Sequence, residues 1–237
     1  SGGTYSNIVA FALPVFLSQL FQQLYNTADT FIVGHFLGTN ALAAVSSSGT
    51  LIFLLVSFFD GAAMGAGITI SRYFGASDAE KVGRAVHTNI AFALVSGTLL
   101  TVCGVIFTPT FLTWMKTDPD VMGEAVEYFR YYFAGALALV LYNNMRGIMN
   151  AVGDSVRPLI YLAVSSVTNV VLDVLFVGIC GFGVWSAAVA TVISQALSVV
   201  LCFIHLIKPG RIYTLSIRKI RFHRDMLTEI LRYGLPS

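Results

Sequence analysis

The chain has 237 residues, 56% hydrophobic and 11% charged, with a formal net charge of +2. An ordinary soluble domain carries about 25% charged residues, so this composition excludes a soluble fold and predicts an all-α polytopic membrane protein. The basic residues lie in short segments between apolar runs rather than on one face, which argues against a nucleic-acid partner and for the lipid bilayer.

A hydrocarbon core of about 30 Å needs roughly 20 apolar residues per helix. Six segments meet that length: Ile8–Val33, Ala41–Ser71, Val82–Phe107, Val121–Met145, Pro158–Ile179 and Val184–Ile207. The first run, about 26 residues, is longer than the roughly 7–15 of a signal-peptide h-region, so it is expected to stay in the bilayer as a helix.

That first span carries Pro14, which removes a backbone hydrogen bond and allows a kink, making it a candidate hinge. Further along, Gln19, Gln22, Gln23, Asn26, Asp29 and Thr30 fall within an arc of roughly 120° at 100° per residue. Facing lipid, these groups would go unsatisfied, so the stripe is expected to face protein or a water-filled cavity. Gln22, Asn26 and Thr30 are candidate substrate-cavity residues; helix-to-helix hydrogen bonding is the alternative.

The second span contains Asp60 beside the small-residue run Gly61-Ala62-Ala63-Met64-Gly65-Ala66-Gly67. The glycines suit close helix packing, and Asp60 suits either an inner vestibule or a snorkelling position. Near the inner end of the fourth span, Tyr142 and Asn143 can touch substrate or pack at the interface. On the fifth, Asn169 and Asp173 are four residues apart and share a face, with Ser165 and Ser166 a turn further along. The sixth carries Thr191. Cys103, Cys180 and Cys202 have no metal-ligand spacing and read as packing residues.

Basic residues favour cytoplasmic loops. Arg72, Lys81 and Arg84 follow the second span, Arg146 and Arg157 the fourth, and seven more basic residues lie from Lys208 to Arg232. The opposite side has Lys116 and Arg130 among four acids. Both termini are therefore predicted to be cytoplasmic. Counting inward from the outer ends near Gly34, Gly178 and Gly183, Asp29 and Asp173 lie about 7 Å deep, and Thr191 and Asn169 about 12–14 Å. Four polar side chains from three helices thus fall in one layer. Two carboxylates with an amide and a hydroxyl can share a proton or coordinate a hard cation such as Na⁺, so Asp29, Asn169, Asp173 and Thr191 are the candidate cation site, and its metal ligands if the ion is Na⁺. No cofactor beyond that ion is called for.

Ile230-Leu231-Arg232-Tyr233-Gly234-Leu235-Pro236-Ser237 repeats the pattern of Ile8-Val9-Ala10-Phe11-Ala12-Leu13-Pro14-Val15. The expected organisation is a six-helix lobe over 1–207, a basic cytoplasmic linker over 208–225 and the start of a second lobe over 226–237. The alternative for the last segment is an amphipathic helix on the membrane surface.

The runs Ala12-Leu13-Pro14, Asn26-Thr27-Ala28-Asp29-Thr30-Phe31-Ile32-Val33-Gly34, Ser71-Arg72-Tyr73-Phe74-Gly75-Ala76 and Asn150-Ala151-Val152-Gly153-Asp154-Ser155-Val156-Arg157-Pro158 resemble the multidrug and toxic compound extrusion (MATE) family. The resemblance implies one lobe of a twelve-helix, two-lobe antiporter of the cell membrane. Such a protein exports drugs or organic cations against H⁺ or Na⁺, with the C-terminal lobe as the other half of the pathway. It also implies an ion network at Asp29, Asn169, Asp173 and Thr191 and a bending first helix at Pro14. Asp60 matches no position of the family pattern. A lipid-linked oligosaccharide flippase of a related fold would need cations well inside a span, and none is present. An intramembrane serine enzyme would need a histidine in register with the Ser46-Ser47-Ser48-Gly49 hydroxyls, and His35, His87 and His205 are not in register.

Overall fold

The computed structural model describes residues 2–39, 42–43, 63–114, 116, 119–209 and 211–234. A chain surrounded by lipid must satisfy its backbone groups internally, which helices do within one segment. The described residues are helices and turns, with no strand among them. The helices are α1 (Gly2–Leu37), α2 (described over 63–75, from the second predicted span and just past it), α3 (Ala79–Trp114), α4 (Pro119–Ala134), α5 (Ala136–Ala151), α6 (Val156–Asp173), α7 (Trp185–Leu206) and α8 (Arg224–Gly234). Asp60 and Ser46 to Ser48 lie outside the described residues.

Among the described residues, α3, α6 with its continuation to Ile179, and α7 are each long and apolar enough to cross a membrane. Their outward flanks carry exposed apolar side chains, such as Leu99, Ile106, Val167, Val171 and Val200, as lipid-facing helices require. Cys202 is buried, as a packing role requires, but Cys103 and Cys180 are exposed, so that role does not extend to them.

Three features depart from the predicted spans. Several helices outrun them: α3 has 36 residues, about 54 Å at 1.5 Å each, so its ends project beyond the hydrocarbon. The fourth span is two helices, broken at Gly135, whose φ of −102° and ψ of 11° leave the helical region. The cause is close approach, because a Cβ on Gly135 would overlap both γ-methyls of Val192 on α7. The fifth span ends as a π-helix, Val174–Ile179, immediately after Asp173. Its register closes with Cys180 N–H donating to Leu175 O at 2.8 Å, and Gly181 follows with φ +69°.

α1 packs on α6, α6 on α7, α7 on α4 and α5, and both of those on α3. One apolar cluster fills the basic end, including Ile70, Val86, Tyr142, Met149, Leu206 and Met226. Two others fill the opposite end, one around Phe129 and Phe133, the other joining Ile32, Tyr128, Val177, Val184, Ala187 and Ala188. Between α5 and α6 the chain reverses through Gly153 at φ +88°. Asp154 N–H donates to Met149 O at 2.8 Å and Gly153 N–H to Asn150 O at 3.0 Å, a glycine-terminated C-cap. Asp154 Oδ1 then accepts from Arg157 N–H at 3.2 Å and opens α6.

Candidate cation-binding and substrate-facing sites

The last-named cluster sets the level of the polar layer. Ile32 of α1, Val177 of the π-segment and Ala187 and Ala188 of α7 belong to it, so the three segments meet there. Asp29 precedes Ile32 by three residues, Asp173 precedes Val177 by four, and Thr191 follows Ala188 by three. Each is therefore about one turn to the membrane-centre side of the cluster. The observed helix ends shift these depths, moving Asp29, Asp173 and Asn169 deeper and Thr191 shallower. Measured from Leu37, Cys180 and Trp185, the depths of Asp29, Asp173 and Thr191 become about 12, 10 and 9 Å, with Asn169 at about 16 Å.

On α6 the side chain of Asp173 is 0% exposed and that of Asn169 2%. Asn169 Oδ1 has no hydrogen-bond partner among the described residues, and a buried amide oxygen left unsatisfied costs about 1–3 kcal/mol. Thr191 is buried and donates from Oγ1 to Ala187 O at 3.1 Å, which leaves its oxygen lone pairs available. One turn towards the basic end, Ser165 Oγ donates to Ser194 O at 2.8 Å and ties α6 to α7. The side chains of Gln22, Asn26 and Asp29 lie outside the described residues, as do those of Gln19 and Gln23; Thr30 is exposed.

Pro14 is buried inside α1. Ser18 Oγ donates to Pro14 O at 2.9 Å, and Ser155, at the start of α6, donates to Phe11 O at 2.9 Å. A side chain from a neighbouring helix thus reaches the backbone where proline interrupts the α1 ladder. Asn143 lines a cavity of about 880 Å³ between α1, α2 and α5, with Phe11, Gly67, Arg146 and Asn150. Tyr142 faces the other way, into the basic-end core, with Arg146 5.8 Å from its ring centre. The two adjacent candidates therefore separate, because neighbouring residues on a helix point about 100° apart.

Sequence reasoning missed the polar contacts at the basic end, since they join residues far apart in the chain. Arg72 Nη1 pairs with Glu229 at 3.1 Å, and Arg84 Nη2 with Asp225 at 2.8 Å. Tyr73 donates to Glu229 Oε2 at 2.7 Å, and that bond, with burial and the carboxylate's charge, holds the phenol above its usual range. These contacts and buried Met226 and Ile230 dock α8 on α2 and α3. His205, almost fully buried, has Arg157 Nη1 within 2.9 Å of both ring nitrogens, and Arg211 Nη1 donates to its carbonyl at 3.2 Å.

The MatE family model matches residues 14–175. The Probable multidrug resistance protein YoeA of Bacillus subtilis (strain 168) is 33% identical over 234 residues, 96% of this chain and 50% of that protein. An outward-facing structure of a multidrug resistance MATE family transporter of the MOP superfamily matches with a TM-score of 0.89 at 29% identity, over 97% of this chain and 51% of that one. An inward-facing structure of such a transporter matches with a TM-score of 0.84 at 28% identity, over 96% and 52%. The chain spans about half the length of the curated relatives it matches. It corresponds to one lobe of the two-lobe fold. With the model matching most of its length and the fold shared throughout, the chain belongs to the MatE family of multidrug and toxic compound extrusion transporters.

Proposed function

We propose that this lobe works in a cation-coupled multidrug efflux antiporter of the cell membrane. Asp29, Asn169, Asp173 and Thr191 bind the coupling H⁺ or Na⁺ as substrate. The observation that carries this reading is Asn169 and Asp173, both buried on one face of α6 at the level where α1, the π-segment and α7 pack together. A cation arriving among these buried oxygens is favoured most in the conformation that draws the three helices closest. The unpartnered Oδ1 of Asn169 adds a neutral oxygen ligand suited to Na⁺ or to a protonated carboxyl. The π-segment supports the reading as well, because such segments concentrate at functional sites and widen the helix beside Asp173.

Drugs or organic cations bind on the α1 polar stripe of Gln22, Asn26 and Thr30 and around Asn143, and leave as the lobes rock. The similar match to outward- and inward-facing relatives supports motion of this lobe largely as one body. Pro14 serves as the α1 hinge, both termini are cytoplasmic, and residues 208–225 lead to a second lobe beginning near 226. Efflux by the full-length protein with Asp29→Asn or Asp173→Asn tests the ion site. At wild-type membrane levels, each change lowers drug efflux at least about tenfold, the scale of one lost charge-assisted contact. Undiminished efflux from both variants removes the cation-site claim.

A further inference from the structure

At the basic end, the first turns of α3 and the segment 211–223 enclose a cavity of about 560 Å³, within the range of small-molecule sites. Five cationic side chains line it, Arg84, Arg211, Arg218, Lys219 and Arg221, against a single carboxylate, Glu80. Arg84 is held by Asp225, and Arg211 is engaged by His205. Arg218, Lys219 and Arg221 have no ion pair or side-chain hydrogen bond among the described residues. Like charges gathered round one concavity repel unless an anion enters it.

The walls are fixed rather than improvised. His87 Nε2 accepts from Ser216 N–H at 3.0 Å while its Nδ1 stands 2.6 Å from Gly83 O, so both ring nitrogens are engaged. Thr88 Oγ1 accepts from His223 N–H at 3.1 Å. Both bonds hold the segment against α3, so the cations on it project from a framed surface. The cavity also adjoins the first turns of α3, which project beyond the hydrocarbon, and the positive-inside rule assigns this end to the cytoplasmic leaflet.

We propose that this cavity binds a phosphate-bearing anion, supplied either by the headgroup of an anionic phospholipid or by a soluble phosphate compound. Arg218, Lys219 and Arg221 are its principal donors. Bound there, the anion would clamp the segment 211–223 to α3. This cavity lies at the opposite end of the lobe from the proposed cation site, and its occupancy does not depend on transport.

The test uses the full-length protein in nanodiscs. One arm compares retention of phosphatidylglycerol with retention of phosphatidylcholine. The other titrates inorganic pyrophosphate calorimetrically in phosphatidylcholine discs. Each basic residue near an anionic surface contributes about fivefold in affinity, so the triple variant Arg218→Gln, Lys219→Gln, Arg221→Gln lowers affinity in the responding arm by roughly 100-fold. Three cations of the same end outside the cavity serve as control. Lys81→Gln, Lys208→Gln, Arg232→Gln should leave that affinity within about threefold, as expected for surface charges that do not touch the ligand. Phosphatidylglycerol retention identifies the lipid source, and pyrophosphate binding alone identifies the soluble one. The proposal is overturned if neither probe binds, or if the control variant weakens binding as much as the cavity variant.

Discussion

Gly135 and Asn169 represent two kinds of constraint on a single residue. Gly135 is fixed by steric exclusion, since the γ-methyls of Val192 occupy the space a Cβ would need. Gly135→Ala should cost about 1–3 kcal/mol through overpacking, read as a melting temperature several degrees lower for the purified protein. An unchanged melting temperature would mean that α7 gives way freely. Asn169 is constrained electrostatically, its amide oxygen buried without a partner among the described residues. The sequence made Asn169 and Asp173 legible because polar residues four apart stand out in an apolar run. Gly135 was not legible as a break, because a glycine between alanines reads equally as a packing residue until the opposing Val192 is known.

Among the elements, the lengths of apolar runs located the spans but not their ends or internal breaks. α3 runs through Ala79–Trp114 because helix propensity continues past the hydrophobic boundary. The π-segment depends on a single unpaired register shift after Asp173, which leaves no mark in hydrophobic periodicity. The docking of α8 was equally invisible, since Arg72–Glu229 and Arg84–Asp225 join residues more than a hundred apart.

That docking also carries a pH dependence. Burial, then Arg221 and Arg84, hold His223 below the ordinary histidine value. An undocked segment binds a proton on His223 more readily, so docking weakens as pH falls through about 6.5. Limited proteolysis across 208–223 should therefore run faster at about pH 5.5 than at about pH 7.5, on either side of that value. His223→Asn should flatten the ratio, and an equally steep ratio in that variant would assign the effect to other groups.

Across the whole molecule, packing gathers the chain into a lobe whose two ends differ in chemistry. The basic end carries the ion pairs, the docked α8 and the cation-lined cavity. The opposite end carries aromatic and small-residue clusters with the buried polar layer just beneath. This polarity was legible from the distribution of arginine and lysine alone, whereas the three helices proposed to form the layer were read from polar residues within apolar runs. Counting residues inward from the outer loops put the polar positions in one layer; the cluster of Ile32, Val177, Ala187 and Ala188 adds that α1, the π-segment and α7 meet beside it.

Cation coupling in this layer requires α1 and α6 to bring Asp29 and Asp173 together. The direct measurement is cross-linking in a full-length protein lacking Cys103, Cys180 and Cys202, with Asp29→Cys and Asp173→Cys and a short bis-methanethiosulfonate reagent. Rapid cross-linking of that pair is predicted, with little or none for Asp29→Cys combined with Val171→Cys, because Val171 is exposed on the outer flank of α6. Preferential linkage to position 171 would turn Asp29 away from Asp173 and contradict a shared cation site.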